Sequence, residues 1–149
     1  MRKFLILSFF ISNFVHANDI DYQSIYFDFE NAYYSNDVSK LSPWLHDDYS
    51  IEQSMNVPGM ESDSRIVTKN QLLSVLKSMS KPSTMPRSNS VEIQFINENE
   101  FCGLSKTINE TLVAGKKYEE RENRNVCFIK KGNSYQVNVH KIDVFYKAL

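Results

Sequence analysis

Asn36-Asp37-Val38-Ser39-Lys40-Leu41-Ser42-Pro43-Trp44-Leu45-His46-Asp47-Asp48-Tyr49-Ser50-Ile51-Glu52-Gln53 is where this chain turns from helical to extended patterning. Ser35, Asn36 and Asp37 break what precedes them, because short polar side chains bond their own backbone and favour turns. Val38 to Leu45 has helical spacing, but Pro43 lacks an N–H and limits the segment to a turn or two. His46-Asp47-Asp48 reads as the solvated end of that short helix. Tyr49 to Met55 then reads as a short strand, stopped by the Pro58-Gly59 loop.

Working upstream, Tyr22, Ile25, Tyr26, Phe29, Ala32 and Tyr33 recur at steps of three and four between Asp21 and Tyr34, with Gln23, Ser24, Asp28, Glu30 and Asn31 opposite. This is an amphipathic helix with an aromatic face. Tyr22, Tyr26, Phe29, Tyr33 and Trp44 wall either a core or a pocket, since large rings bury area in both. Downstream, Thr68 and Gln71 have the spacing of a capping box ahead of Leu72, Leu73, Val75, Leu76 and Met79, and Lys81-Pro82 stops that helix.

The rest reads as strands. Val91, Ile93 and Phe95 alternate with Glu92 and Gln94, Asn97 to Glu100 is a turn, and Phe101–Leu112, Lys117–Lys130 and Tyr135–Phe145 follow. In the last run Val137 and Val139 share one parity while Ile142 and Val144 have the other, so a bulge is expected near His140. Lys116 to Arg124 mixes four basic and three acidic residues, the pattern of a solvated strand face or a rim for a partner. The fold class expected is α+β, with three N-terminal helices on one face of a curved antiparallel sheet.

Residues 1–17 read as a secretory leader. Arg2 and Lys3 precede the apolar run Phe4 to Val15, and Val15-His16-Ala17 offers a cleavage site before Asn18. That run of about 12 residues falls short of the roughly 20 a membrane helix needs. The domain expected is residues 18–149, periplasmic or secreted. Without Arg2 and Lys3, 15 basic residues face 18 acidic ones, a net of −3. That balance has no basic footprint for nucleic acid or an anionic membrane.

Cys102 and Cys127 are the two cysteines of the chain. Their midpoint falls in Val113-Ala114-Gly115-Lys116, the turn between two strands, so a symmetric hairpin sets them opposite each other and they are expected to bond. Closing a loop of this length contributes about 3 kcal/mol. A redox-active Cys-x-x-Cys is absent.

The order of elements resembles the nuclear-transport-factor-2-like (NTF2-like, SnoaL-like) superfamily, the cystatin-like cone shared by ketosteroid isomerases and polyketide cyclases. Asn36-Asp37 stands for its break after the first helix, Val38, Leu41 and Trp44-Leu45 for its short helix, His46-Asp47-Asp48 for that helix's end, and Ile51-Glu52-Gln53 for its next strand. The resemblance implies a cavity between the first helix and the concave side of the sheet. It places Gln53 where an isomerase has its general base and Phe29 where it has a phenol. Glutamine cannot take a proton near neutral pH and phenyl cannot donate a hydrogen bond.

Pocket candidates are therefore Tyr26, Phe29, Tyr33, Trp44, Tyr49, Gln53 and His140. His140 reads either as an edge histidine or as a base oriented by Asp143 and Tyr49; Glu52 is the other candidate base. His46, Asp47 and Asp48 read as a solvated cap, and with two histidines left after the leader no zinc spacing exists. No cofactor is expected. The function expected is an exported, non-catalytic domain binding a small apolar molecule or a protein partner, of which an immunity protein is one form. The alternative is an isomerase- or cyclase-type enzyme working through His140 or Glu52, and a homodimer through the open sheet face is a third possibility.

Overall fold

The computed structural model describes residues 20–78, 88 and 90–149. The leader, its cleavage point, Met79 and the Lys81-Pro82 stop lie outside these residues. Asp21 accepts a hydrogen bond from the Ser24 amide and so satisfies one orphan donor at the start of helix α1, Tyr22–Tyr34. Asn36, at φ 53°, turns the chain out of it. Asp37 caps the single turn of α2, Val38–Leu41, and Pro43 sits in the 3-10 turn Ser42–Trp44 that closes it.

The strand after this turn, β1 at Leu45–Asn56, starts earlier than expected. His46, Asp47 and Asp48 thus belong to a strand and not to a helix end. They lie between the pairs Leu45–Val137 and Ser50–Val139, where the ladder is irregular. A second strand, β2 at Asp63–Thr68, has no counterpart in the sequence reading; five of its six residues are exposed, so no apolar alternation marks it. Helix α3, Lys69–Ser78, begins at the expected box, with the Thr68 amide and hydroxyl both donating to the Gln71 side chain.

β3 (Glu92–Asn97), β4 (Glu100–Val113), β5 (Lys116–Lys131) and β6 (Ser134–Ala148) complete a six-stranded sheet in the order β2-β1-β6-β5-β4-β3. Among the described residues the architecture is α+β with three helices, and it departs from the expected one twice. Helix α3 follows the β1–β2 hairpin instead of joining the other two helices at the start. The sheet is mixed, because β1 runs parallel to β6 while every other pair is antiparallel. Parallel pairing leaves no local turn signal, since its partners lie some ninety residues apart.

Ala114 and Gly115, both at positive φ, form the β4–β5 turn and put Cys102 opposite Cys127, where they form a disulfide with a Cα–Cα distance of 4.0 Å. The bulge in β6 falls at Asn138: Val137 pairs with Phe128 and Val139 with Cys127, so Val137 is buried while Val139 points outward. The aromatic face of α1 settles on the sheet at Gly103, where a Cβ would come within 2.3 Å of the Tyr26 ring. Among the described residues no helix is long and apolar enough to cross a membrane.

Candidate functional site

The ladders set three rows of side chains across the face of the sheet that α1 covers: Phe101, Phe128 and Val137; Gly103, Val126 and His140; Ser105, Arg124 and Ile142. The next rows carry Thr107, Glu122 and Val144, then Asn109, Glu120 and Tyr146. One end of this face is therefore aromatic and the other charged.

The aromatic end is full. Tyr26, Phe29, Phe101, Phe128 and Tyr49 are at most 2 % exposed. Phe101 stacks on Phe128, and Phe29 meets Phe128 edge to face. The Tyr26 hydroxyl and Ser105 Oγ are 2.7 Å apart, and burial raises the pKa of the phenol to about 12. Of the pocket candidates, Tyr26, Phe29 and Tyr49 thus belong to the core. His140 is in this core too, 0 % exposed, with Phe29 and Tyr33 edge-on to its ring and Tyr49 Oη 3.0 Å from Nδ1. Burial, helped by the nearby Arg124 charge, pushes its pKa well below the ordinary 6.5 and keeps the ring neutral. Asp143, expected to orient it, instead accepts a hydrogen bond from Ser54.

The charged end is open. A cavity of about 250 Å³ is lined by Tyr33, Gln53, Met55 and Ile142 together with Asp63, Arg65, Glu120, Glu122, Arg124 and Tyr146. At its floor Arg124, 4 % exposed, reaches Glu122 at 2.5 Å, Glu30 of α1 at 3.5 Å, and the Tyr34 hydroxyl. The Tyr34 and Tyr33 rings lie 4.9 and 5.6 Å from its guanidinium carbon. Burial works against the charge, but Glu122 and the surrounding phenol oxygens more than offset it and hold the group above its ordinary pKa. At the mouth, burial and a hydrogen bond to Glu120 raise the pKa of Tyr146 to about 12, and Arg65 Nε donates to Gln53 Oε1 at 2.9 Å.

Two of the sequence candidates, Tyr33 and Gln53, therefore line the cavity, while Glu52 faces the other side of the sheet beside Lys141. Trp44 touches Phe29 but lines a separate surface groove of about 490 Å³ beside Tyr135 and Pro43. That groove is larger but holds two ionisable side chains, Lys130 and Tyr135, and no carboxylate or imidazole. His46 hydrogen-bonds the Asp48 amide at the surface. No metal-binding group of three or more His, Cys, Asp or Glu side chains exists among the described residues.

Glu30, Glu120, Glu122 and Arg124, with Asp63, Arg65 and Tyr146 at the mouth, are what the sequence reading missed. The run Lys116 to Arg124 is not a solvated face throughout, because alternate residues turn inward. The one available signal was the strand parity set by Val126 and Phe128, which carries Arg124, Glu122 and Glu120 to the same side.

No family model and no curated protein sequence matches the chain. Solved structures do. An NTF2-like protein of unknown function in nutrient uptake from Rhodospirillum rubrum superimposes with a TM-score of 0.61 at 12 % identity, covering 84 % of this chain and 98 % of that one. A ketosteroid isomerase-like protein from Erwinia carotovora atroseptica gives 0.53 at 13 % identity, over 82 % and 92 % of the two chains. A hexachlorocyclohexane dehydrochlorinase from Novosphingobium barchaimii gives 0.52 at 10 %, over 85 % and 86 %. At such identities the likeness is one of fold, and the chain has the NTF2-like fold.

Proposed function

We propose that residues 18–149 are an exported, non-catalytic binding domain that holds a small polar molecule in the charged mouth of the fold. One observation carries this reading: the open cavity is walled by charged and phenolic side chains, while the histidine able to act as a base is sealed in the aromatic core with no exposed surface. A base must come within hydrogen-bond reach of the proton it takes, and the His140 ring is packed against Phe29, Tyr33 and Tyr49 with no surface open to solvent. Glu52 is on the opposite face. An apolar ligand, the class expected from the sequence, loses support because the aromatic chamber that would take it is filled.

Export is supported by the leader-like residues 1–17 and by the Cys102–Cys127 disulfide, a bond of oxidising compartments. A protein partner is the second reading, favoured by Ile108 and Phe145, which flank Arg121 on the outer face at 62 % and 42 % exposure.

The test is native mass spectrometry of protein isolated from its own host, together with isomerase, dehydratase and dehydrochlorinase assays. A non-covalent small-molecule adduct and no turnover are expected. Robust turnover that disappears in His140→Gln overturns the proposal.

A further inference from the structure

The cavity lining holds three carboxylates, Asp63, Glu120 and Glu122, against two guanidiniums, Arg65 and Arg124. The deeper guanidinium is already engaged, since Glu122 and Glu30 both reach Arg124. Its terminal nitrogens are therefore occupied, which leaves Nε–H as its donor without an acceptor among the described residues. A carboxylate oxygen can accept more than one hydrogen bond, so Glu120, bonded to Tyr146, and Glu122, bonded to Arg124, keep acceptor capacity toward the cavity. Glu122 already has Arg124 as its cation, but Glu120 makes no ion pair among the described residues, and the Tyr33 ring adds a face that suits a cation.

Two donors point to a different group on the same ligand. Arg65 is tethered to Gln53 through Nε, and its terminal nitrogens make no hydrogen bond among the described residues. Arg124 lines the floor, is 4 % exposed, and its Nε–H has no acceptor among the described residues. Met55, Ile142 and Val144 supply an apolar wall beside these charges.

We propose that the cavity takes an amino-acid-type zwitterion: a protonated amine at Glu120 and Glu122, an oxygen acceptor at the arginine side, and a small apolar side chain against Met55, Ile142 and Val144. This rests on the reading of the cavity as a ligand site. The same ammonium chemistry could come from a free amino acid or from the amino terminus of a short peptide.

Calorimetric titration of the purified protein with leucine, N-acetyl-leucine, isopentylamine and leucyl-glycine separates these. Leucine is expected to bind. N-acetyl-leucine, without the cation, and isopentylamine, without the acceptor, are each expected to bind at least about tenfold more weakly, the loss of one charge-assisted hydrogen bond. Leucyl-glycine binding as well as leucine assigns the site to peptide amino termini; weaker binding assigns it to free amino acids. Glu122→Gln is expected to weaken leucine by about tenfold or more, and Glu120→Gln does the same from the mouth should the first variant fold poorly. Glu119→Gln, which removes a carboxylate from the opposite face, leaves binding unchanged.

Equal affinity for leucine and N-acetyl-leucine, or binding indifferent to both glutamate variants, overturns the ligand class. If none of the four binds while native mass spectrometry finds a different small molecule, the class fails and the ligand-site reading stands. If neither finds any ligand, both fail.

Discussion

Strand β5 carries two kinds of interior on one face. Val126 and Phe128 lie under rings, among apolar side chains, the Tyr26 phenol and the neutral His140. Two residues earlier, Arg124 is nearly as buried, yet it is surrounded by Glu30, Glu122 and Tyr34. The first arrangement gains from removing apolar area from water and needs no partner of fixed geometry. The second gains little net stability, because desolvation offsets most of the attraction between the charges. What it provides is a charged floor held at a set position, and the cavity lies over this end of the face and not over the other.

The largest effect that can break the comparison is in the aromatic half. Phe128→Ala should cost about 3–5 kcal/mol in urea denaturation, since it leaves a void among Phe29, Phe101 and Tyr26. A loss below about 1 kcal/mol would mean that this end can collapse and is not a close-filled core.

Arg124→Met comes next, at about 3 kcal/mol, because it removes the cation that faces Glu122 and Glu30 below the surface. The cause is checked by adding Glu30→Gln, which should be less costly in the variant than in the parent protein. Strict additivity would show that the pair at 3.5 Å does not interact.

His140 links the two ends, since both burial and Arg124 depress its pKa. Above pH 6.5 neither folded nor unfolded chain protonates it. Below that, the unfolded chain takes up a proton that the folded protein refuses, so stability is full at neutral pH and falls on acidification, by about 1.4 kcal/mol per pH unit at most. Melting curves between pH 7.5 and 5.5 should show the decline, and His140→Gln should flatten it. Unchanged stability over that range would place the imidazole in contact with water.

Smallest of all is Gln53→Ala, which releases the exposed Arg65 at the mouth. Its stability should stay within about 0.5 kcal/mol of the parent, while ligand affinity at the cavity changes.

Helices α1 and α3 were legible because each carries its own signal: aromatic residues at helical steps in one, the Thr68–Gln71 box at the start of the other. The disulfide was legible because Ala114 and Gly115 mark the hairpin centre. β2 was not, as its exposed side chains show no alternation. Much of the site was not legible either. Tyr33 and Gln53 could be named, but Glu120, Glu122 and Arg124 sit in a stretch where inward and outward residues are both charged, so polarity alone cannot tell the two faces apart.

By itself the amino-acid order determined the short-range elements, the paired cysteines and the aromatic helix face, since these depend on neighbours a few residues apart or on one turn. Only the tertiary structure decided that β1 lies parallel to β6, that the rings fill the chamber and seal His140, and that the charges of β5 face the cavity. The first two outcomes depend on contacts between residues some ninety positions apart, which no local pattern records; the third shows locally only in the parity of Val126 and Phe128, and which face the helix covers is decided by the packing.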